Sequence, residues 1–157
     1  ASNPINTHEV RKRIITQQKA NSLDALGSAF RLLGILDSSE AAYSRAQTQA
    51  VLGGRKDYQL SIGTNQVKLY SSTNQLGKLK STLSKIRLIA REYGSKSILL
   101  DYKLTELDYL VVSGKTALAL DSLQAFLPKV NPAEQSPNWL SSFYLLASNI
   151  YQKKWKS

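Results

Sequence analysis

The chain has 157 residues, 42% of them hydrophobic, and a formal net charge of +10 from 21 Lys and Arg against 11 Asp and Glu. That length supports one domain with a core of its own. The lack of cysteine excludes disulfides, thiolate metal sites and cysteine nucleophiles, and no apolar run approaches the roughly twenty residues that a membrane-spanning helix needs.

A soluble protein is therefore expected, either cytoplasmic or exported. Methionine is absent even at position 1, so the chain reads as a processed product or an excised fragment. "ASNPINTH" would then be the new end of a secreted protein or a junction. The positive charge concentrates in residues 1–20, 78–96 and 153–156. Such segments suit nucleic acid, anionic lipid or an acidic partner, or are simply solvated lysine-rich flanks.

In chain order, an opening helix is expected over about 8–19, with Val10 and Ile14 one turn apart as a possible end cap. A helix over 22–36 follows, with Leu23, Leu26, Gly27 and Phe30 on one face. A mid-helix glycine costs about 1 kcal/mol relative to alanine, so Gly27 on that face asks for a closely approaching partner helix. Asp37 and Glu40 have the spacing of a capping box opening a helix over 39–53. Gly53-Gly54 suits a left-handed end to it. Next come 57–72, then 75–93 with Asn74 as its cap and Gly94 at its end. After a helix over 97–112, Ser113-Gly114 marks a turn into 115–129. Ser136-Pro137 suits the cap and first residue of a last helix over 137–153. No stretch alternates cleanly with β-branched residues, so strands are not expected.

The elements recur with a period of forty residues. Leu60, Leu100 and Leu140 align, as do Gly27, Val67, Leu107 and Ala147, and Phe30, Tyr70, Leu110 and Ile150. Further columns hold Tyr43, Leu83 and Leu123, then Ala46, Ile86 and Phe126, then Ala50, Ala90 and Val130. Gly34, Asn74 and Gly114 mark a recurrent break. Each period contains a first-type and a second-type helix, which makes three pairs and one final first-type helix.

Leu23, Leu26, Gly27 and Phe30, matched by Phe143, Leu146, Ala147 and Ile150, carry a pattern that resembles the tetratricopeptide repeat (TPR) family. Ala119, Leu123 and Phe126 fit that family's second helix in part. The chain departs from the family norm of about 34 residues per repeat. It has no repeat-ending proline, and Gly63 and Gln66, then Lys103 and Glu106, occupy first-helix apolar sites in the middle copies. Longer pairs of this kind are similar to TPR-like arrays in bacterial regulators and sensor proteins. The resemblance covers roughly residues 20–154 and implies an all-α fold. Antiparallel helix hairpins would stack as a right-handed solenoid of seven to eight helices. Residues 1–20 would form an extension and leading helix, 21–136 three pairs, and 137–157 a capping helix.

The resemblance further implies that first-type helices line a concave, partner-binding groove. By the forty-residue register the first copy offers Asp24, Ser28 and Arg31, and the second Ser61, Thr64, Asn65, Lys68 and Ser71. The third offers Asp101, Leu104, Asp108 and Val111, and the last Tyr144, Ser148 and Tyr151. Such a groove runs from mildly basic through acidic to aromatic and would take an extended peptide of mixed charge; the competing reading is an unused polar surface. Family members that clamp a C-terminal carboxylate use lysine and asparagine in the first copy, where Asp24 and Ser28 stand here, and Asn65 alone matches that clamp.

Catalytic, metal and cofactor sites are not expected. His8 is the single histidine and lies near a helix start. "SGKT" at 113–116 lacks the preceding strand and earlier glycine of a phosphate loop. Asp101 and Asp108 share a helical face but read as polar surface rather than an acid–base pair. On 78–91, Leu79, Leu83, Ile86 and Ala90 form an apolar stripe. Lys78 and Lys85 lie on one edge, with Lys80, Arg87 and Arg91 beyond the other, as basic flanks beside a buried face do. Arg11-Lys12-Arg13 and Lys153-Lys154-Trp155-Lys156 offer electrostatic contacts, and Trp155 either stacks on a base or closes a helix end. The leading expectation is thus a non-enzymatic protein- or peptide-binding scaffold. A basic nucleic-acid-binding protein and an oligomerisation module are the alternatives.

Overall fold

The computed structural model describes residues 6–93 and 95–156. These form seven α-helices and two short 3-10 turns, with no strand among the described residues. The helices are α1 (Thr7–Leu32), α2 (Leu36–Leu52), α3 (Lys56–Ser72), α4 (Leu76–Tyr93), α5 (Lys96–Val112), α6 (Thr116–Phe126) and α7 (Pro137–Lys156). Neighbours in sequence pack on one another: α1 on α2, α2 on α3, α3 on α4, and α6 on α7. No described helix is long and apolar enough to cross a membrane.

The turns account for the spacing. Gly34, Gly54, Asn74 and Gly114 have φ of 74, 64, 55 and 74°, so a left-handed residue stands at twenty-residue steps. Gly94, at the same spacing in the sequence, lies outside the described residues. At each turn the residue after the left-handed one donates its N–H to the carbonyl five positions back. The bonds run Ile35 to Phe30, Arg55 to Ala50 and Gln75 to Tyr70 at 2.9 Å, and Lys115 to Leu110 at 2.8 Å. This is the Schellman closure, which satisfies carbonyls that a helix end leaves unpaired. The same residue's carbonyl accepts the first bond of the next helix, as Ile35 does from Ser39 at 3.0 Å. One residue therefore ends a helix and opens the next, and the chain reverses tightly.

These turns correct several expectations. Asp37 and Glu40 form no capping box: α2 starts at Leu36 without a side-chain cap, because the backbone turn has already placed Ile35 at the helix entry. Asn74 is the left-handed residue itself rather than a side-chain cap. The helices expected over 8–19 and 22–36 are one continuous helix, α1, capped by the Asn6 side chain. Helix 115–129 stops at Phe126, and Leu127–Lys129 tightens into a 3-10 turn around Pro128, whose ring nitrogen has no hydrogen to donate. At the last helix the expectation holds, with the Trp139 N–H donating to Ser136 Oγ at 3.3 Å ahead of Pro137.

The chain divides into two compact units, Ala1–Tyr102 and Lys103–Ser157. In the first, the buried residues include Tyr43, Ala46, Ala50, Leu60, Val67, Leu83, Ile86 and Ala90 from the forty-residue columns, together with Ala20 and Leu79. Gly27 meets Tyr43: a Cβ there would lie 2.7 Å from two ring carbons. The buried Ser39 hydroxyl donates to the Gly27 carbonyl at 2.7 Å, fixing the same approach of α2 to α1. Gly63, a poor match to the family pattern, makes a second close approach, since a Cβ there would strike the Ile86 side chain.

In the second unit the buried residues include Leu107, Ala119, Leu123, Phe126, Phe143, Ala147 and Ile150. Phe126 meets Phe143 edge-on at 5.8 Å between ring centroids, and Trp139 stacks on Phe143 at 5.2 Å, both favourable ring geometries.

Candidate functional site

Within the first unit, α1 and α3 touch directly although α2 separates them in sequence. Polar side chains make the rungs between them. Asn65 Nδ2 donates to both carboxylate oxygens of Asp24 at 3.0 and 3.2 Å. Nearer the start of α3, the Tyr58 hydroxyl accepts from Gln17 Nε2 at 2.8 Å and from Asn21 Nδ2 at 3.4 Å. Arg55 forks onto Asp57, reaches Gln17 Oε1, and lies over the Tyr58 ring at 4.2 Å.

The Asp24 rung borders a small cavity of about 40 Å³, lined by Ser61, Thr64, Asn65, Lys68, Ile98 and Asp101. That is room for a water or a small polar group. Burial raises the Asp24 carboxyl above its ordinary range, while the Asn65 hydrogen bond and the Lys68 charge oppose the shift. Lys68 is exposed and makes no hydrogen bond or ion pair among the described residues. The site can thus present an amide already oriented by a carboxylate, an ammonium open to solvent, and the Ser61 hydroxyl.

Five residues expected to line a groove therefore meet at one cavity, and Asp24 joins them through Asn65. Thr64 is buried and its hydroxyl donates to the Leu60 carbonyl at 2.9 Å, so it shapes the wall without offering a free donor. Ile98 was not anticipated; its position three residues before Asp101 on a first-type helix was the available signal. Ser28 turns instead toward α2, its hydroxyl 3.0 Å from that of Tyr43. Arg31 is half-buried, with Nε buried and unpaired among the described residues, and Ser71 is half-buried. In the second unit Leu104 and Asp108 are half-buried, while Val111 is buried and belongs to the core rather than to an open surface. Tyr144, Ser148 and Tyr151 are exposed on α7.

A second polar cluster, also unanticipated, joins α2, α3 and α4. Lys78 Nζ donates to both oxygens of Glu40 at 2.7 and 2.9 Å, and the Tyr70 hydroxyl donates to Glu40 Oε1 at 3.0 Å. The Lys78 hydrogen bond chiefly holds the Glu40 carboxyl below its usual range. Burial, then Glu40, pushes the Tyr70 hydroxyl up to about 12. On α4 the stripe of Leu79, Leu83, Ile86 and Ala90 is buried, whereas Lys80, Lys85 and Arg91 are exposed. Trp155 is 87% exposed and closes no core.

No family model, curated protein or solved structure matches the chain.

Proposed function

We propose that the chain is a non-catalytic protein- or peptide-binding module, a TPR-like array whose first-type helices present a groove to an extended segment of a partner. Sequential packing of antiparallel helices, left-handed turns at twenty-residue steps and direct contact between α1 and α3 support the array. The observation that carries the binding role is the convergence of Ser61, Asn65, Lys68 and Asp101 on one cavity beside Asp24. An extended peptide brings unpaired N–H and C=O groups that must find partners on docking. The Asn65 amide and the serine hydroxyl meet that demand, and Lys68 and Asp101 select for mixed charge.

The test is selection of random dodecapeptides against the immobilised protein, followed by titration of enriched peptides. We expect the Asn65→Ala, Lys68→Glu double variant to lose about tenfold or more in affinity, equivalent to roughly 1.4 kcal/mol, with an unchanged helical spectrum. Failure to enrich any peptide, or equal affinity for the double variant, would remove this reading.

A further inference from the structure

We propose that a second surface of the first unit, the cleft between α1 and α2, docks an acidic amphipathic helix from another protein. The cleft encloses about 550 Å³, with Ile15, Lys19 and Leu23 on the α1 side and Arg45, Thr48 and Gln49 on the α2 side. It is separate from the cavity beside Asp24 and does not depend on the reading of that cavity.

The repeat register bears on the α1 side of the cleft alone, since forty residues beyond Arg45 and Thr48 stand Lys85 and Leu88, both exposed on α4. Forty residues beyond Lys19, Ser22 and Leu23 stand Gln59, Ile62 and Gly63 on α3, all buried. The preceding helix packs there: the α2 side chain Gln47 donates to the Gln59 carbonyl at 2.8 Å. On α1, by contrast, Lys19 and Ser22 are exposed, as are Ile15 and Leu26, and no described helix covers them. The strip from Ile15 to Leu26 runs about 16 Å along α1 at 1.5 Å per residue, the footprint of some three helical turns. A strip of α1 long enough for a docked helix is thus left exposed among the described residues.

Charge identifies the occupant. Lys19 and Arg45 face the cleft from opposite helices, no acidic side chain lines it, and neither cation has an ion pair or hydrogen bond among the described residues. Ile15 and Leu23 add apolar surface. The complement is a helix with an apolar stripe flanked by Asp or Glu. A second copy of this chain does not supply one. Its most acidic helix is α5, with Asp101, Glu106 and Asp108, and the apolar residues Leu100, Leu107 and Val111 of that helix are already buried.

The probe is a labelled sixteen-residue peptide with leucines at helical spacing and glutamates flanking them. The control is a scramble of identical composition that has no apolar face. Fluorescence anisotropy at near-physiological salt is expected to show binding of the first and not the second. Lys19→Glu with Arg45→Glu should weaken binding about tenfold or more. Thr48→Trp, which fills the cleft and keeps both charges, should do the same. Equal binding of the scramble would show a polyelectrolyte effect and overturn the assignment. So would absence of binding, indifference to both variants, or capture by anionic lipid vesicles without capture by the peptide.

Discussion

Gly27 shows how a single residue sets the distance between two helices. It falls on the apolar face of α1, and its missing side chain makes room for the Tyr43 ring, which is fully buried. Gly27→Ala would gain roughly 1 kcal/mol of helix propensity. The added methyl would sit 2.7 Å from the ring carbons, and overpacking of that kind costs about 1–3 kcal/mol. We expect net destabilisation in urea unfolding, largely relieved when Tyr43→Leu is added. The next repeat already combines a larger residue with a smaller one at these positions, Val67 with Leu83, both buried. The need for a close approach at Gly27 was legible from its place among Leu23, Leu26 and Phe30. The ring that fills the space was not, because facing positions in a hairpin are set by tertiary packing that no single column displays.

Element boundaries were legible where a backbone conformation demanded a particular residue. Glycine tolerates positive φ without a Cβ penalty, so Gly34, Gly54 and Gly114 announced their turns, and Asn74 is a frequent substitute. A break is expected from the sequence between 19 and 22, but α1 runs through it without interruption. Asn21 instead reaches across to the Tyr58 hydroxyl, and Ala20 is completely buried in mid-helix. Glu40 was misassigned for a related reason: it has the spacing of a capping box, yet Lys78 and Tyr70 claim its carboxylate from other helices. That cluster has a pH signature. The ordinary tyrosine value is 10.0 and the folded Tyr70 value is about 12. Its contribution is therefore fully present below pH 10 and is lost as pH rises from 10 towards 12. Over that interval the thermal midpoint of the protein should fall more steeply than that of Tyr70→Phe. Parallel pH profiles for the two proteins would show that folding leaves the Tyr70 hydroxyl unshifted.

At the scale of the whole molecule, the forty-residue period is a pair of twenty-residue helix-and-turn steps, and its apolar columns supply buried residues in both compact units. That much was legible because burial and the left-handed turns repeat. The candidate site was legible in part. Ser61, Asn65, Lys68 and Asp101 occupy first-type helix positions that turn toward one cavity, whereas Val111, chosen by the same register, is buried in the other unit. Helical register assigns a face, but how far each helix rotates against its neighbours decides which residues on that face remain open. The peptide-binding role is the central claim, and amide and side-chain NH₂ shift mapping tests it most directly. Titrating the labelled protein with an enriched peptide should move the Asn65 side-chain resonances together with the amides around Asp24, Ser61, Lys68 and Asp101. Perturbations confined to the α1–α2 cleft or to residues 103–156, with Asn65 unmoved, would contradict it.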